Sequence, residues 1–184
     1  MTTSFDFVIV GAGSAGCALA RRLSDDPAIT VALLEAGGPD TRTEITTPTE
    51  YFKLWGTDVD WNYQSVAQAG TKHRVHGMPR GKVLGGTSSI NGMVYLRGAR
   101  GDFDDWESRG CDGWGWNDVE RAYIEMEATL QPDFVGDRNP LSEVFLAAAE
   151  QAGLAHNPSF DSGDLAGSGW NRSTIRAGRR NNSF

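Results

Sequence analysis

Residues 5–35 carry the strongest pattern in the chain, with FDFVIV at 5–10, GAGSAG at 11–16, CALARRL at 17–23 and ITVALLE at 29–35. The two apolar, β-branched runs are typical of buried parallel strands, and the helix formers between them predict a helix. A strand, a glycine turn, a helix and a second strand within about 30 residues make a βαβ unit. We therefore predict an α/β fold built on a Rossmann-like parallel sheet and followed by a helical extension.

The glycines of this first turn each have a physical reason in a dinucleotide site. Gly11 permits the tight turn, Gly13 lets the backbone approach a pyrophosphate, and Gly16 lets the helix pack close to the strand. The helix N-terminus supplies N–H groups and a partial positive charge for phosphates. Glu35 can accept hydrogen bonds from ribose hydroxyls, and the Ala-Gly pair after it argues against a 2′-phosphate. NAD and FAD both satisfy this turn, and the alternative is a glycine-tolerant strand–helix turn with no ligand.

A second cluster of glycines lies in GKVLGGTSSINGMVYLRG, residues 81–98. Small side chains let backbone amides approach a flat or anionic ligand, and the Ser, Thr and Asn side chains can hydrogen-bond a polar edge. By composition alone, the alternative is a glycine-rich surface loop. The residues themselves therefore leave a ligand-binding turn and a surface loop both open.

The rest of the chain shows weaker patterns. Residues 36–77 have no sustained helical or strand period, which predicts a long ordered excursion with little regular structure. Three helices are predicted after it, from capping residues and apolar spacing. They are a short helix over 103–109 capped by Asp102, a helix capped by Asn117 that runs to Leu130, and a helix opened by Pro140 and closed by Gly153. The tail from Asn157 to Phe184 is polar and has no terminating element.

Composition argues against several classes of protein. The 184 residues include 17 Lys and Arg against 24 Asp and Glu, a net charge of −7, without a basic cluster, so we expect no nucleic-acid partner. No stretch approaches about 20 consecutive apolar residues, and the run at 7–10 lacks a preceding basic region, so we expect no membrane span and a location in the cytoplasm. Cys17 and Cys111 predict neither a disulfide framework nor a metal site.

The second glycine cluster resembles the first signature of the glucose–methanol–choline (GMC) family of FAD-dependent oxidoreductases. That signature is Gly-basic-x-apolar-Gly-Gly-small-Ser-x-apolar-Asn, followed by an aromatic and an acidic residue. It is matched from Gly81 to Asn91 and then at Tyr95 and Asp104. Four other segments resemble the family in the same order, namely residues 5–24, 33–37, 60–63 and 113–116. The resemblance covers nearly the whole chain.

The resemblance implies FAD bound across both glycine turns. It places the pyrophosphate at the first turn, the adenosine ribose at the end of the second strand, and the flavin at the second cluster. The implied cofactor-binding residues are Gly11, Gly13, Ser14, Ala15 and Gly16 for the pyrophosphate, Glu35 and Ala36 for the ribose, Val83, Asn91, Gly92, Met93 and Val94 for the flavin end, and Gly86 in the same turn. Some members attach FAD covalently through a His at the position of Ile90, and an aliphatic side chain cannot form that bond. We therefore predict non-covalent FAD.

The resemblance also implies an activity. Family members oxidise an alcohol by hydride transfer to the flavin, with a His paired with a second His or an Asn near the C-terminal end. We expect that pair beyond residue 184, because His73, His76 and His156 match none of the motif, so the chain alone is expected to be inactive. The predicted activity is choline-dehydrogenase-like oxidation of a small alcohol or aldehyde. The alternatives are a flavin-containing lyase or photodecarboxylase on the same scaffold, and a non-catalytic FAD-binding fragment.

The resemblance also divides the chain into two predicted parts. Residues 1–100 are predicted to form the N-terminal part of the FAD-binding domain, and 101–184 a helical extension with the start of the next family segment. The final residues resemble a Gly-x-Arg-x-x-Ser segment of the family, which predicts a truncated, fragmentary or internally deleted protein. Such a piece would leave a sheet edge and an apolar face uncovered, so we expect further sequence, a complementing chain or a second copy to stabilise it.

Overall fold

The computed structural model describes residues 4–182, which form two compact units. The first unit comprises the described residues up to Met93 together with those from Ala177 onward, and the second is Val94–Arg176. None of the helices in residues 4–182 combines the length and the apolar composition of a membrane-spanning helix. The division into family segments at residue 100 stays a prediction.

Within the described part of the chain, the strands have two to four residues, and four of the five helices have 9 to 15. In chain order they are β1 (Phe7–Val10), α1 (Ser14–Leu23), β2 (Val31–Leu34), α2 (Thr43–Thr46), β3 (Tyr63–Gln64), β4 (Gly77–Met78), β5 (Val94–Tyr95), α3 (Arg100–Ser108), α4 (Trp116–Leu130), β6 (Asp133–Phe134), α5 (Pro140–Gln151), β7 (Arg172–Ser173), β8 (Ile175–Arg176) and β9 (Arg179–Arg180). Turns of 3₁₀ helix lie at Pro48–Leu54, Ala69–Thr71, Gly86–Ser89 and Phe160–Ser162.

The predicted βαβ unit is confirmed in the first unit. β1 and β2 pair in parallel from Phe7 opposite Val31 to Val10 opposite Leu34, and α1 connects them. Their faces are largely uncovered, since Val8 is 58% exposed and Val10 85%. This exposure agrees with the uncovered apolar face expected from the sequence.

The excursion over residues 36–77 has little regular structure, as predicted, and it supplies the core of the first unit. It contains α2, two short 3₁₀ turns and β3, which pairs antiparallel with β4. The buried apolar cluster of this unit is Ile45, Leu54, Val59, Val83 and Ile90. Because the last two of these belong to the second glycine cluster, the excursion holds that cluster in place.

The helix starts in the second unit correct two of the predicted caps. Asp102 lies inside the first turn of α3, whose N-cap is Ala99, and Asn117 lies inside α4, whose N-cap is Gly115. The carboxylate of Asp104 accepts a hydrogen bond of 3.0 Å from the Trp116 N–H at the start of α4. A carboxylate distant in sequence therefore replaces the local cap that the sequence predicted.

α5, the last of the three helices predicted after residue 77, begins as predicted. Pro140 occupies the first turn of α5, and the Asn139 side chain accepts a hydrogen bond from the Leu141 N–H at 2.9 Å. Gly153 follows the helix end with a φ of +92°, the left-handed conformation that glycine adopts without strain. The apolar side of this helix is mostly exposed, with Leu141 and Phe145 at 75% and 71%.

The polar tail forms more structure than its composition suggests. β7 pairs antiparallel with both β5 and β6, giving a three-stranded sheet in the order β5-β7-β6. Asn157 is buried and its side-chain N–H groups donate to the carbonyls of Asp164 and Ala166, both at 2.9 Å. Tertiary partners organise this segment, while Ser183 and Phe184 lie outside the described residues.

A partly buried network of charges joins the strands and helices of the second unit. Glu127 accepts from Arg97 at 2.7 and 2.8 Å, from Arg172 at 2.8 Å and from the Tyr95 hydroxyl at 2.7 Å. Arg172 also pairs with Asp161 at 2.7 Å. The hydrogen bonds from Arg97 lower the pKa of Glu127 from its ordinary value of 4.5 to about 2, against the opposing effect of burial. The carboxylate is therefore ionised and fully engaged.

Candidate dinucleotide site

The first glycine turn follows β1 and is tied to the end of β2. Gly11 has a φ of +97°, and its N–H donates to the Leu34 carbonyl at 2.7 Å. At Gly16, an added Cβ would overlap the carbonyl oxygen of Gly11 and reach within 3.4 Å of the Ile9 side chain. Only glycine fits there, which is the close approach of helix to strand that the sequence predicted.

Glu35 stands at the end of β2 and holds the backbone of the turn. One carboxylate oxygen accepts from the Ala12 N–H at 2.8 Å, and the other accepts from the Gly37 N–H at 2.9 Å. Each oxygen has two lone pairs, so capacity for a further donor remains. Glu35 therefore has a structural task in addition to the predicted contact with ribose.

The start of α1 is chemically suited to an anion. Gly13 is the N-cap, no side chain caps the helix, and no acidic residue lies in its first turn. Ser14 and Ala15 are exposed there. An added Cβ on Gly13 would meet nothing closer than 3.9 Å. The nearest atom is the Cα of Gly86, at ordinary van der Waals distance, so no clash excludes a side chain at Gly13. Backbone approach of a pyrophosphate at this glycine stays a prediction.

The second glycine cluster contacts the first turn through backbone atoms. The Gly85 N–H donates to the Ala12 carbonyl at 2.8 Å. Gly85 and Gly86 have φ values of +85° and +56°, and an added Cβ on Gly86 would lie 2.8 Å from the Cα of Gly13. The structure therefore brings together two turns that are about 70 residues apart in sequence, a contact that a shared dinucleotide would require.

Gly37 makes a further close contact that the sequence analysis did not identify. An added Cβ on Gly37 would overlap the carbonyl of Lys82, and the Leu84 N–H donates to the Gly38 carbonyl at 3.0 Å. Gly38 and Val83 form an isolated parallel bridge. The Gly-Gly pair after Ala36 was the available signal, since consecutive glycines often mark close backbone approach.

The end of the second cluster is held from several sides. The Asn91 side-chain oxygen accepts from the Met93 N–H at 3.0 Å, and Met93 has a φ of +60° although it is buried. The Trp55 indole donates to the Ile90 carbonyl at 3.0 Å, and the Tyr51 ring lies against Gly92. Sparsely populated backbone conformations of this kind cluster at ligand sites.

A cavity of about 690 Å³ lies beside this end of the cluster, within the first unit. Asn91 and Gly92 line it, together with Trp55 and Asp60. Asp60 accepts from three backbone N–H groups, at 2.8 to 3.0 Å. Burial opposes its ionisation, but these three donors lower the pKa of Asp60 below the ordinary value. Asp60 therefore fixes the loop that forms one wall of the cavity.

Most of the predicted cofactor-binding residues lie together in the first unit. Val94 is the exception, since it is exposed at the start of β5 in the second unit. His73 and His76 are exposed in the first unit and do not line the cavity, and His156 lies in the second unit, 3.3 Å from Glu150.

Arg180 is a residue at the second cluster that the sequence analysis did not select. It is 8% exposed, and its guanidinium donates to the carbonyls of Ile45, Ser88 and Asn91. Arg180 is the arginine of the Gly-x-Arg-x-x-Ser segment near the C-terminus. Local sequence pattern alone could not show that this segment contacts a turn about 90 residues earlier.

Comparisons with known proteins give one consistent family. The family model of the GMC oxidoreductases matches residues 5–183. An alcohol dehydrogenase (acceptor) from Pseudomonas putida is 38% identical and an oxygen-dependent choline dehydrogenase from Rhizobium rhizogenes 41%, over 96% and 95% of this chain but 35% and 34% of those proteins. The crystal structure of pyridoxine 4-oxidase from Mesorbium loti superposes with a TM-score of 0.87 at 34% identity, over 98% of this chain and 38% of that one.

The chain thus spans about a third of the length of the curated relatives it matches. The match covers both glycine turns, Glu35 and the segment that contains Arg180. GMC oxidoreductases bind FAD, so the cofactor predicted from the resemblance is the cofactor of the family. The two turns with the geometry of a dinucleotide site, and a family model that matches 5–183, show that the chain belongs to the GMC oxidoreductase family.

Proposed function

We propose that the protein is an FAD-dependent oxidoreductase that oxidises a small donor, either an alcohol at its CH–OH group or an aldehyde. The observation that carries the proposal is the backbone contact between the two glycine turns, the Gly85 N–H donating to the Ala12 carbonyl at 2.8 Å. Glu35 lies at the same place and holds the first turn through Ala12. When bound, the flavin would supply the acceptor for a hydride.

The residues of the first turn bind and orient the cofactor in this proposal. The N–H groups at the start of α1, from Gly13 to Gly16, hold the pyrophosphate, because the helix dipole and the absence of a first-turn acid favour an anion. Glu35 accepts from the ribose hydroxyls with its remaining lone pairs, beside Ala36. Both tasks need only the arrangement already present in the apoprotein.

The second cluster holds the flavin end. Asn91 and Gly92 line the cavity in the first unit, and Val83 and Met93 of the same cluster are buried. The small residues of the cluster leave backbone atoms accessible to a flat ring. The contact predicted for Val94 is retained as part of the proposal.

The relatives support the substrate class. The names of the alcohol dehydrogenase, the choline dehydrogenase and the pyridoxine 4-oxidase each denote a compound that carries a CH–OH group. We accordingly propose a small alcohol as the donor, with the catalytic His and its partner outside residues 1–184. A location in the cytoplasm and association with a second copy are retained as predictions.

The proposal is tested on the protein purified as its gene encodes it and supplied with FAD. We expect FAD to bind, and its visible absorbance to fall when an alcohol such as choline or pyridoxine is added anaerobically in the dark. Flavin that stays oxidised with every alcohol, but releases CO₂ from a carboxylic acid under light, would favour the photodecarboxylase instead. Protein that binds no FAD would refute the proposal, and an aliquot without donor controls for photoreduction.

FAD is expected to dissociate when the protein is denatured. Ile90 is fully buried and aliphatic at the position where some family members carry the His that attaches FAD, so it offers no nucleophile for a covalent bond. Acid precipitation of the holoprotein should leave the flavin in the supernatant, measured by its fluorescence after neutralisation. Free FAD added to precipitated apoprotein gives the recovery standard, and a yellow pellet that survives washing would contradict the prediction.

A further inference from the structure

We infer that Arg180 is a positioning residue of the FAD site, because it holds the Asn91 carboxamide so that the NH₂ group is presented to the cavity as a hydrogen-bond donor. This inference rests on the proposed function, since the acceptor would be the polar edge of the flavin. Arg180 itself lies behind the second glycine cluster and does not line the cavity.

The hydrogen bonds of Arg180 converge on the second cluster. Nη1 donates to the Asn91 side-chain oxygen at 2.8 Å and to the Ser88 carbonyl at 3.0 Å, and Nη2 donates to the Asn91 carbonyl at 2.8 Å. Nε donates to the carbonyl of Ile45 at 2.8 Å. One planar guanidinium thus holds both the backbone and the side chain of Asn91, a geometry that the ammonium of lysine does not reproduce.

Among the described residues, the charge of Arg180 has no acidic partner. No Asp or Glu oxygen of residues 4–182 forms an ion pair with the guanidinium, which is 8% exposed and bonded to neutral oxygens. Burial lowers its pKa to about 10, so the side chain is still a cation at neutral pH. A buried cation without a counter-charge is costly unless neutral oxygens satisfy its N–H groups, as those of Ile45, Ser88 and Asn91 do here.

Hydrogen-bond chemistry determines which way the Asn91 carboxamide faces. The atom that faces Arg180 Nη1 and the Met93 N–H must be the oxygen, because a guanidinium and a backbone N–H can only donate. The NH₂ group then points away from both donors. Asn91 lines the cavity, and in our inference its two N–H bonds serve an acceptor there. Without Arg180, one of the two interactions that select this orientation is lost.

A neighbouring interaction keeps Arg180 in register with the cluster. The Asn182 side chain donates to the Ser89 hydroxyl and to the Asp40 carboxylate, both at 2.9 Å. Ser89 in turn donates to the Leu84 carbonyl at 2.7 Å. The segment that carries Arg180 is therefore attached to the cluster at two points, two residues apart.

The test compares four variants of the purified full-length protein: Arg180→Met, Asn91→Leu, the double variant, and Arg179→Met as a matched control. Arg179 precedes Arg180 in β9 and is exposed. Two dissociation constants are measured for each, one for FAD and one for ADP, which reaches only the first turn. Thermal unfolding of each apoprotein reports folding, and the visible spectrum of bound flavin reports its surroundings.

We expect Arg180→Met to weaken FAD binding by about tenfold or more, as for loss of a hydrogen bond to a charged group, and to shift the flavin spectrum. ADP binding should stay within about twofold, and Arg179→Met should resemble the wild type. The double variant should bind FAD no more weakly than Asn91→Leu, because Arg180 acts through Asn91. If Arg180→Met fails to fold, Arg180→Lys, which keeps the charge without the fork, should give the same selective loss to a smaller extent.

Three results would overturn the inference. The inference would be wrong if the Arg180 variants bound FAD as tightly as Arg179→Met does. It would also be wrong if the Arg180 variants lost FAD and ADP affinity equally, because equal losses indicate a general structural role. Additive losses in the double variant would show that Arg180 does not act through Asn91. Wild-type protein that binds ADP but no FAD would refute the proposed function and this inference together, whereas wild-type FAD binding with any of the three results refutes the inference alone.

Discussion

Replacing Gly16 with alanine is expected to lower the free energy of unfolding by about 3 kcal/mol, near the upper end for overpacked positions. The added Cβ would overlap the carbonyl oxygen of Gly11, so relief requires α1 to move away from β1. Neither backbone has a flexible side chain that could give way. Urea unfolding of the apoprotein, followed by circular dichroism, measures the loss.

Gly13→Ala is the matched control in the same turn. Its Cβ would lie 3.9 Å from the nearest heavy atom, and Gly13 has an ordinary φ of −82°, so stability should change by no more than about 1 kcal/mol. FAD binding should fall all the same, since the methyl group occupies the space proposed for the pyrophosphate. Equal stability losses in the two variants would contradict this assignment of the two glycines.

Replacing Glu127 with glutamine is expected to cost the second unit about 3 kcal/mol of unfolding free energy, as for one partner removed from a buried ion pair. The side chains of Glu127, Arg97 and Arg172 are 14%, 12% and 16% exposed, so the two guanidinium groups would lose their shared counter-charge in a poorly hydrated place. The matched control is Arg121→Gln on the same helix, whose contact with Asp118 is exposed at 3.8 Å. The control should change stability by less than about 0.5 kcal/mol.

The stability of the wild type and that of Glu127→Gln should depend differently on pH. The folded pKa of Glu127 is about 2, below its ordinary value of 4.5, so its contribution is complete above pH 4.5 and is lost as the pH falls towards 2. The wild type should therefore lose stability across this range more steeply than Glu127→Gln, which has no carboxylate to protonate. Parallel pH profiles of the two unfolding free energies would show that Glu127 does not carry this effect.

Local pattern was sufficient for the elements whose causes are local. The β-branched runs of β1 and β2, the glycine turn between them and the Asn139-Pro140 start of α5 all act within a few residues, and the structure confirms them. The predicted helix starts were wrong where a group distant in sequence supplied the capping hydrogen bond. Asp104 caps α4 from another helix, which neither the position of Asn117 nor any periodicity could indicate.

The candidate site shows the same division. The sequence was enough to identify two glycine turns, an acidic residue between them and the family to which they belong, because each turn needs small residues at short, regular spacing. The contacts between the turns, the second task of Glu35 as a brace for Ala12, and the place of Arg180 behind Asn91 all join residues far apart in the chain. Such contacts depend on how the backbone folds back on itself. The role of the buried Arg180 guanidinium depends on which oxygen atoms tertiary folding brings around it.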